Sequence, residues 1–367
     1  MDDDTSSDWI KVALYGRGAG NGDGGRDHRH RGGVGPAVLG STRSYPRVAT
    51  WPRLAGRGVR ISACLIVRDE AARIESCLAS LVGRVDEIVV VDTGSVDDTM
   101  LRTRPFGVVE GRFDWCDDFA AARNHALSLS TGDWVLSIDA DERLNGDLRA
   151  FAASPVADGG LIMLEPDRVW LLRLFRRSPD LEWQHRVHEE PTRWARRRAS
   201  RIRPVTTGCL VHAQPDPARS EARNRRLLDL RRRDDPLDPV PVAYLARMAL
   251  ARGDLDACDL HIRDGLAILC QRDAAGLPET AATAQLLTLR VVTWARAGKA
   301  HMAADLVERA LGDGIESADL RACAILLGCA ADQTRLARRL ARRLRACYGE
   351  VCDRALAERA LAQVRCL

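Results

Sequence analysis

A short run of residues that ends in two carboxylates places the strongest constraint on the fold of this chain. Residues 133–141 read Asp-Trp-Val-Leu-Ser-Ile-Asp-Ala-Asp, an apolar segment of strand type followed by two aspartates. Side chains alternate along a strand, so Asp139 and Asp141 project to the same side and Ala140 to the other. Burying a carboxylate pair is costly, whereas two carboxylates at a strand end can bind a hard divalent cation with phosphate oxygens and water. The run predicts a metal and diphosphate site, with a calcium or structural site as the alternative.

The composition bounds the size and class of the protein. The chain has 367 residues, of which 46% are apolar, and this is enough to bury the cores of two domains. Its formal net charge of +4 is too small to indicate a nucleic-acid-binding protein. It has no uninterrupted apolar run of the roughly 18 residues that a membrane span needs, so we expect no transmembrane segment.

Cysteine usage and the N-terminus both bear on the compartment. The eleven cysteines are scattered without any Cys-x-x-Cys pair, which indicates reduced, mostly buried thiols and not a disulfide framework. The chain begins Met-Asp-Asp-Asp and lacks the basic-then-apolar pattern of a signal peptide. We therefore expect a cytoplasmic protein.

The first 59 residues differ in texture from the rest of the chain. Residues 1–59 are rich in glycine, arginine, aspartate and proline and have no lasting hydrophobic period. Their glycine-rich part has no strand before it and no helix after it, which argues against a phosphate-binding loop. We expect a disordered or loosely attached N-terminal segment.

Strands and helices alternate after this segment. Apolar runs of strand type cover residues 61–67 and 87–92, a weaker one covers 106–113, and helical patterns cover 71–81 and 119–129. This spacing predicts a mainly parallel α/β sheet, whose ligands bind at the carboxyl ends of its strands. Polar residues follow three strands at that edge: Arg68-Asp69-Glu70, Asp92-Thr93-Gly94-Ser95 and Asp139-Ala140-Asp141. The agreement of three strand ends favours one shared ligand site.

Four sequence pieces carry a resemblance to a known family. They read Ile-Val-Arg-Asp-Glu at 66–70, Val-Val-Val-Asp-Thr-Gly-Ser at 89–95, Ala-Ala-Arg-Asn-His-Ala-Leu at 121–127 and Gly-Asp-Trp-Val-Leu-Ser-Ile-Asp-Ala-Asp-Glu at 132–142. In this order and spacing they resemble the nucleotide-binding half of the family 2 glycosyltransferases. The resemblance implies the GT-A fold, a Rossmann-like mixed, mainly parallel sheet flanked by helices, in a domain over residues 60–216.

Three further pieces resemble the acceptor side of the same family. Leu-Arg-Leu-Phe-Arg at 172–176 resembles its strand before the acceptor side, Val-His-Glu at 187–189 its Val-His-Glu turn, and Val-His at 211–212 its later strand-end histidine. Direct displacement at the anomeric carbon inverts configuration and needs a base that takes the proton of the acceptor. We expect Glu189 to be this base, with His188 as the second candidate.

The resemblance also implies a UDP-sugar as donor and Mn²⁺ or Mg²⁺ as the metal. When the sugar is transferred, UDP leaves, and the negative charge that develops on its diphosphate needs a metal or other cations. The residues expected to bind the donor are Asp69, Glu70, Asp92, Gly94, Ser95, Arg123, Asn124 and Asp139. Those expected to bind the metal are Asp139, Asp141 and His212. Asp141 is the better metal ligand of the pair, and Asp139 is better suited to the ribose or to a metal-bound water.

Simpler structural roles compete with several of these assignments. Asp92 taken alone is equally typical of a turn, Arg123 of a salt bridge on a helix surface, and His212 of a hydrogen-bonded histidine at a strand end. A zinc site of His185, His188 and His212 is a further alternative. It is disfavoured because no cysteine stands at ligand spacing and a carboxylate pair lies upstream.

The pattern is helical from residue 217 onward. Residues 242–267 and 286–311 each read as a helix, a turn that contains glycine, and a second helix with a small residue five positions after that glycine. The turn glycines are Gly253 and Gly298, and the small residues are Cys258 and Ala303. Both segments resemble the 34-residue tetratricopeptide (TPR) unit. A divergent third pair over 319–367 completes an all-α, TPR-like region over residues 217–367.

Arginine-rich segments are the remaining charged features. One covers residues 193–203, and the other is a stripe opposite three leucines on an amphipathic helix. The stripe consists of Arg335, Arg338, Arg339, Arg342 and Arg343, and the leucines are Leu336, Leu340 and Leu344. A solvated helix face is the favoured interpretation. An acidic partner, a phosphorylated acceptor or peripheral contact with an anionic membrane surface are the alternatives.

The leading hypothesis is a cytoplasmic, metal-dependent, inverting glycosyltransferase whose helical repeats recruit a peptide or protein acceptor, since such repeats build surfaces for extended chains. The rival is a non-catalytic TPR-type interaction protein with a degenerate glycosyltransferase domain. Intact Asp92, Asp139, Asp141 and Glu189 argue against that rival. A transferase that acts on a lipid-linked glycan or a small metabolite is the third possibility. The sequence leaves the sugar and the acceptor atom open.

Overall fold

Most of the chain is described by the computed structural model. The described residues are 58–166, 169–212, 217–275, 281–312, 317–330, 335, 338–342 and 360–364. The expected N-terminal segment lies outside them except for its last two residues, and the third helical pair lies partly outside them.

An eight-stranded mixed sheet forms the first part of the described chain. Its strands are β1 (Ile61–Val67), β2 (Glu87–Asp92), β3 (Val109–Arg112), β4 (Trp134–Ser137), β5 (Glu142–Gly146), β6 (Gly159–Glu165), β7 (Val169–Arg176) and β8 (Ile202–His212). They stand in the order β3-β2-β1-β4-β7-β6-β8-β5. The first four strands pair in parallel, and β7 joins β4 in the antiparallel direction. The predicted mixed, mainly parallel sheet is confirmed.

The central strands are apolar because helices cover both of their faces. Five short helices belong to this part of the chain: α1 (Ile74–Leu81), α2 (Thr99–Thr103), α3 (Phe119–Leu129), α4 (Arg149–Ala152) and α5 (Thr192–Arg197). Leu78 of α1 packs with Ile88 and Val90 on one face of the sheet. Ala126 of α3 packs with Val89 and Val91 on the other face. Alternate residues of one strand thus enter two cores, which is the arrangement of a buried parallel sheet.

Several elements differ from the sequence expectation. Strands β5 and β6 were not predicted, and the helical pairs extend beyond 242–267 and 286–311. Two elements of the sheet domain also begin later than expected. The strand expected over 106–113 is only Val109–Arg112, because Arg104–Phe106 forms a 3₁₀ turn that ends at Gly107 with φ 62°. The helix expected from residue 71 begins at Ile74. The expected start of the next helix is confirmed, since the carboxylate of Asp118 accepts a hydrogen bond from the amide of Ala121.

Helices α6 to α11 form the second part of the chain. They are α6 (Pro217–Asp234), α7 (Val240–Ala251), α8 (Leu255–Ala274), α9 (Ala281–Arg296), α10 (Ala300–Gly312) and α11 (Ala318–Ala330). The two expected helical pairs are α7 with α8 and α9 with α10. Their turn glycines, Gly253 and Gly298, have φ of 77° and 76°, and the small residues Cys258 and Ala303 are completely buried. The small side chains allow the helices of each pair to approach closely, as in a TPR unit.

Helix α6 joins the two parts of the chain. Leu227 and Leu228 are completely buried in a cluster with Val187 of the sheet domain and Leu245 of α7. Arg186 of the sheet domain pairs with Asp234 at the end of α6. The helical part is therefore packed against the sheet domain beside the turn that contains Val187.

The arginine stripe near the C-terminus lies partly outside the described residues. Within them, Leu340 is buried and Arg335, Arg339 and Arg342 are exposed, as expected for a solvated helix face. Among the described residues, no helix combines the length and the apolar character that crossing a bilayer requires.

Candidate active site

A cavity of about 580 Å³ opens at the carboxyl ends of the parallel strands. Its lining includes Glu70 after β1, Thr93 after β2, and Asp139 and Asp141 after β4. Parallel α/β sheets bind ligands at this edge because the strand-end loops converge there. The polar strand ends noted in the sequence thus border a single space.

The carboxylate of Asp139 lies between two buried arginines. Its Oδ1 accepts a hydrogen bond from Nη2 of Arg123 at 2.9 Å, and its Oδ2 accepts one from Nη2 of Arg173 at 3.0 Å. Burial disfavours the charged form of Asp139, but Arg173 and Arg123 outweigh burial and hold its pKa below the usual range. Asp139 is therefore an oriented carboxylate at neutral pH.

Glu142 and Arg173 complete this charge network, and the sequence assigned a role to neither. Arg173 also donates to Glu142 at 2.8 Å, and Glu142 accepts from the backbone amide of Asp139 at 3.0 Å. Only 2% of Glu142 is exposed, and burial together with the charge of Asp139 raises its pKa to about 7. Glu142 fixes the backbone of the Asp-Ala-Asp run, so it belongs to the support of the site.

Arg123 bridges two carboxylates of the cavity, Asp139 and Glu189. Its Nε donates to Oε1 of Glu189 at 2.6 Å, while its Nη1 donates to Ser137 at 3.0 Å. The Arg123 side chain is only 10% exposed. Although burial opposes its charge, Asp139 and Glu189 raise the pKa of Arg123. The salt bridge that competed with a functional role for Arg123 exists, but it lies inside the cavity and not on a helix surface.

Asp141 and His212 bring a carboxylate and an imidazole together at the edge of the cavity. Strands β5 and β8 pair so that Glu142 faces His212, and Nε2 of His212 lies 3.3 Å from Oδ2 of Asp141. This donor set fits Mn²⁺ or Mg²⁺, with oxygens of a diphosphate and of water in the remaining positions. Among the described residues, no group of three or more His, Cys, Asp or Glu side chains is placed to hold a metal. Asp139, the third predicted metal ligand, is instead bonded through both of its oxygens to Arg123 and Arg173.

The strand ends after β1 and β2 interlock through turn hydrogen bonds. The carboxylate of Asp92 accepts from the amide of Ser95 at 2.9 Å, and the hydroxyl of Ser95 accepts from the amide of Asp69 at 3.0 Å. Asp69 has φ 54° and Gly94 has φ 107°. Glu70 lines the cavity. The other four residues at these strand ends that were predicted to bind the sugar donor form the turns beside it; they are Asp69, Asp92, Gly94 and Ser95. Asp92 thus has the turn role that competed with nucleotide binding, and the two roles are compatible.

Comparison with known proteins identifies the family. A sequence profile described as glycosyl transferase family 2 matches residues 62–152. A TPR repeat-containing protein of Synechococcus elongatus is 32% identical over 285 residues, which cover 70% of this chain and 67% of that protein. The chain is a family 2 glycosyltransferase. It carries a TPR-like helical region behind the glycosyltransferase fold.

Other known proteins match shorter parts of this glycosyltransferase. An uncharacterized glycosyltransferase of Rickettsia felis is 39% identical over 90 residues, 24% of this chain and 31% of that protein. The SPbeta prophage-derived glycosyltransferase SunS of Bacillus subtilis is 30% identical over 148 residues, 36% of this chain and 34% of that protein. A crystal structure of glucosyl-3-phosphoglycerate synthase from Mycobacterium tuberculosis, with Mn²⁺, UDP and glucosyl-3-phosphoglycerate, is 20% identical. It covers 47% of this chain and 78% of that chain with a TM-score of 0.38.

Asn124 lies apart from the other predicted donor residues of this glycosyltransferase. Its side-chain Nδ2 donates to the carbonyl of Trp183 at 2.9 Å, and its Oδ1 accepts from the amide of Trp183 at 2.8 Å. Both ends of the amide are used by one backbone unit, and Asn124 is not part of the cavity lining. Its observed contacts brace the segment that leads to His188 and Glu189.

His188 lies in the cavity wall but is poorly suited to act as a base. Its ring stacks on that of Tyr244 from α7, with centroids 3.4 Å apart and planes 9° apart. Burial, followed by the charges of Arg247 and Arg231, lowers the pKa of His188 to about 3. The imidazole is therefore neutral at physiological pH and only weakly basic, which favours Glu189 over His188 as the base.

Residues of the helical region also line the cavity, and sequence reasoning did not anticipate them. Arg223 and Asn224 of α6 and Tyr244 of α7 all belong to the lining. Arg223 lies over the ring of Phe119, with its guanidinium carbon 5.0 Å from the ring centroid. No sequence signal ties these residues to the site, because only the packing of α6 on the sheet domain brings them there.

Proposed function

We propose that this glycosyltransferase is metal-dependent and inverting, and that it transfers a sugar from a UDP-sugar to a peptide or protein acceptor. The observation that carries the proposal is a single cavity lined by Asp139, Asp141 and Glu189, with Arg123 bonded to Asp139 at one end and to Glu189 at the other. Two carboxylates near a candidate metal position, and a third that Arg123 bridges to Asp139, match the separate needs of a leaving diphosphate and an incoming acceptor.

The donor end of the cavity is assigned to the strand ends. Asp141 and His212 would hold Mn²⁺ or Mg²⁺, which when bound supplies positive charge to the leaving diphosphate. Asp139, oriented by Arg123 and Arg173, would accept from the ribose or from a metal-bound water. Asp92, with Asp69, Glu70, Gly94 and Ser95 around it, would accept from the N–H of the uracil base.

The acceptor end is assigned to Glu189. Its carboxylate is largely buried, with 12% exposed, and it is held in one orientation by Arg123 at 2.6 Å. A carboxylate fixed in this way can take the proton of the acceptor as the new bond to the anomeric carbon forms. Attack from this side, opposite the leaving diphosphate, gives inversion.

The helical region supports a peptide or protein as the acceptor. Asn224 and Tyr244 line the cavity, and Tyr244 stacks on His188, which directly precedes Glu189. An acceptor would then enter between the two parts of the chain. Stacked helical pairs offer an extended surface to a chain that continues beyond the cavity.

We assign the glycosyltransferase domain to residues 60–216 and the helical region to 217–367. The eight described cysteines are free thiols, which supports a reducing, cytoplasmic setting.

Nucleotide binding tests the donor part of the proposal. We expect UDP to bind in the presence of Mn²⁺, at least about tenfold more tightly than CDP. Cytosine lacks the N3–H group from which Asp92 would accept a hydrogen bond. A tenfold ratio corresponds to about 1.4 kcal/mol of binding free energy. Isothermal titration of the wild-type protein with each nucleotide measures the ratio. Equal affinities would remove Asp92 from base recognition, and no binding of either nucleotide would exclude a UDP-sugar donor.

The fate of the transferred sugar tests the acceptor part. Wild-type protein is incubated with radiolabelled UDP-sugars and a cell extract, and the extract is then separated into peptide, lipid and small-molecule fractions. We expect the label in the peptide and protein fraction. Label in the lipid or small-molecule fraction would instead support a lipid-linked glycan or a small metabolite as acceptor. No turnover with any donor would favour the non-catalytic interaction protein.

A further inference from the structure

The turn that presents Glu189 has a strained backbone. His188, directly before Glu189, has φ 52°, and His185 has φ 75°. Residues other than glycine adopt this left-handed region at a cost in free energy, and they stay there only where their surroundings enforce it. The contacts that enforce it therefore also set the position of Glu189.

Two contacts on Val187 and His188 come from the helical region, in addition to the bond that Arg123 of the sheet domain makes with Glu189. Nη1 of Arg231, on α6, donates to the carbonyl of Val187 at 2.7 Å and lies 3.4 Å from the carbonyl of His188. Tyr244 of α7 stacks on the His188 ring. Arg231 and Tyr244, both from outside the sheet domain, thus contact two consecutive residues of the turn.

Arg231 is itself fixed by Asp238. Nε of Arg231 donates to Oδ2 of Asp238 at 2.6 Å, and the two side chains are only 5% and 8% exposed. The other carboxylate oxygen of Asp238 accepts from the amide of Val240 at the start of α7. A buried ion pair contributes little to stability after its desolvation cost. The pair does hold the guanidinium in one orientation, in which Nη1 donates to the carbonyl of Val187.

We propose that Arg231, oriented by Asp238, is a positioning residue for Glu189 and that the helical region is in this way part of the catalytic centre. The proposal rests on the assignment of Glu189 as the base. Arg231 touches no substrate in this scheme. It acts by holding the carbonyls of Val187 and His188, so that the next residue reaches Arg123 and the acceptor.

The test compares Arg231→Met with a matched control, Arg290→Met. Arg290 is also a buried arginine, 6% exposed, and it pairs with Asp259 between α8 and α9, outside the cavity lining. Hydrogen–deuterium exchange is measured over residues 184–190 and 61–67 in both variants. Below the unfolding temperature of each, we expect Arg231→Met to speed exchange over 184–190 only, and Arg290→Met to leave both segments unchanged.

Turnover supplies the functional readout. UDP-glucose, UDP-galactose and UDP-N-acetylglucosamine are screened as donors for hydrolysis, and UDP affinity is measured with Mn²⁺. We expect Arg231→Met to lower kcat at least about tenfold with little change in UDP affinity, because a small displacement of a catalytic group is costly. Arg231→Lys, which keeps the charge but loses the forked geometry, should recover part of the loss. Arg290→Met should hydrolyse like wild type.

The outcomes separate this inference from the proposed function. If exchange over 184–190 is the same in Arg231→Met as in wild type, or if both variants lose kcat equally, the positioning role is wrong. If wild type neither binds UDP nor hydrolyses a donor while exchange responds as expected, the proposed function fails. The exchange result would then show only that Arg231 stabilises the backbone of residues 184–190.

Discussion

Replacing Glu189 with glutamine is expected to lower the turnover of the donor by about 10²–10⁴, the usual contribution of a general base. Glutamine has the same size and keeps an oxygen that accepts from Nε of Arg123, so the network seen at 2.6 Å is retained. It cannot take a proton from an acceptor or from water. The loss should therefore appear in kcat, with UDP affinity within about twofold of wild type because Glu189 lies away from the assigned diphosphate position. Hydrolysis of a UDP-sugar and calorimetric titration with UDP measure the two quantities.

Glu182→Gln is the matched control for this substitution. Glu182 is exposed and lies outside the cavity lining, so removing its charge should leave kcat unchanged. If Glu189→Gln turns over like wild type, another group accepts the proton. His188 would then be the next candidate, and its low pKa would have to rise when substrate binds.

Replacing Asp141 with alanine is expected to abolish the effect of Mn²⁺ on UDP binding. Asp141 and His212 are the two groups that would bind the metal, and loss of a supporting contact to a metal ligand alone costs about 10–100-fold in affinity. Loss of the carboxylate itself should therefore weaken UDP binding in the presence of Mn²⁺ by about 100-fold or more. In the absence of metal, wild type and variant should bind UDP alike. Titration with UDP at fixed Mn²⁺, and again in EDTA, measures both conditions.

Asp114→Ala controls for the loss of one negative charge near the sheet edge. The Asp114 side chain is 98% exposed and its partner Arg112 is exposed as well, so this variant should bind UDP and Mn²⁺ like wild type. An Asp141→Ala protein that binds UDP with Mn²⁺ as tightly as wild type would contradict the metal assignment. Asp139 would then be the remaining carboxylate to test.

Several features could be predicted from the sequence because they follow from local patterns. The alternation of apolar runs and helical stretches specifies the sheet, and the apolar character of β1 and β2 on both faces reports that helices cover them. The small residues Cys258 and Ala303 follow from the chemistry of a close helix contact. Each of these features depends on neighbours within a few turns of the chain.

Local sequence patterns do not predict which of the adjacent residues Arg123 and Asn124 enters the cavity. They are adjacent on α3, and both were expected at the nucleotide. The structure turns Arg123 into the cavity between Asp139 and Glu189 and commits Asn124 to the backbone of Trp183. Successive residues on a helix point about 100° apart, so only the position of α3 against its neighbours decides which of them reaches the site.

The sequence by itself determined the family, the parallel strands of the sheet and the carboxylates at their ends, because short motifs and hydrophobic periods encode them. Only the tertiary structure decided that Arg173 and Glu142 support Asp139, and that Arg231 and Tyr244 hold the turn before Glu189. Arg231 lies 44 positions from Val187 in the chain. Contacts over such distances leave no periodic trace in one sequence, since they arise when the helical region packs against the sheet domain.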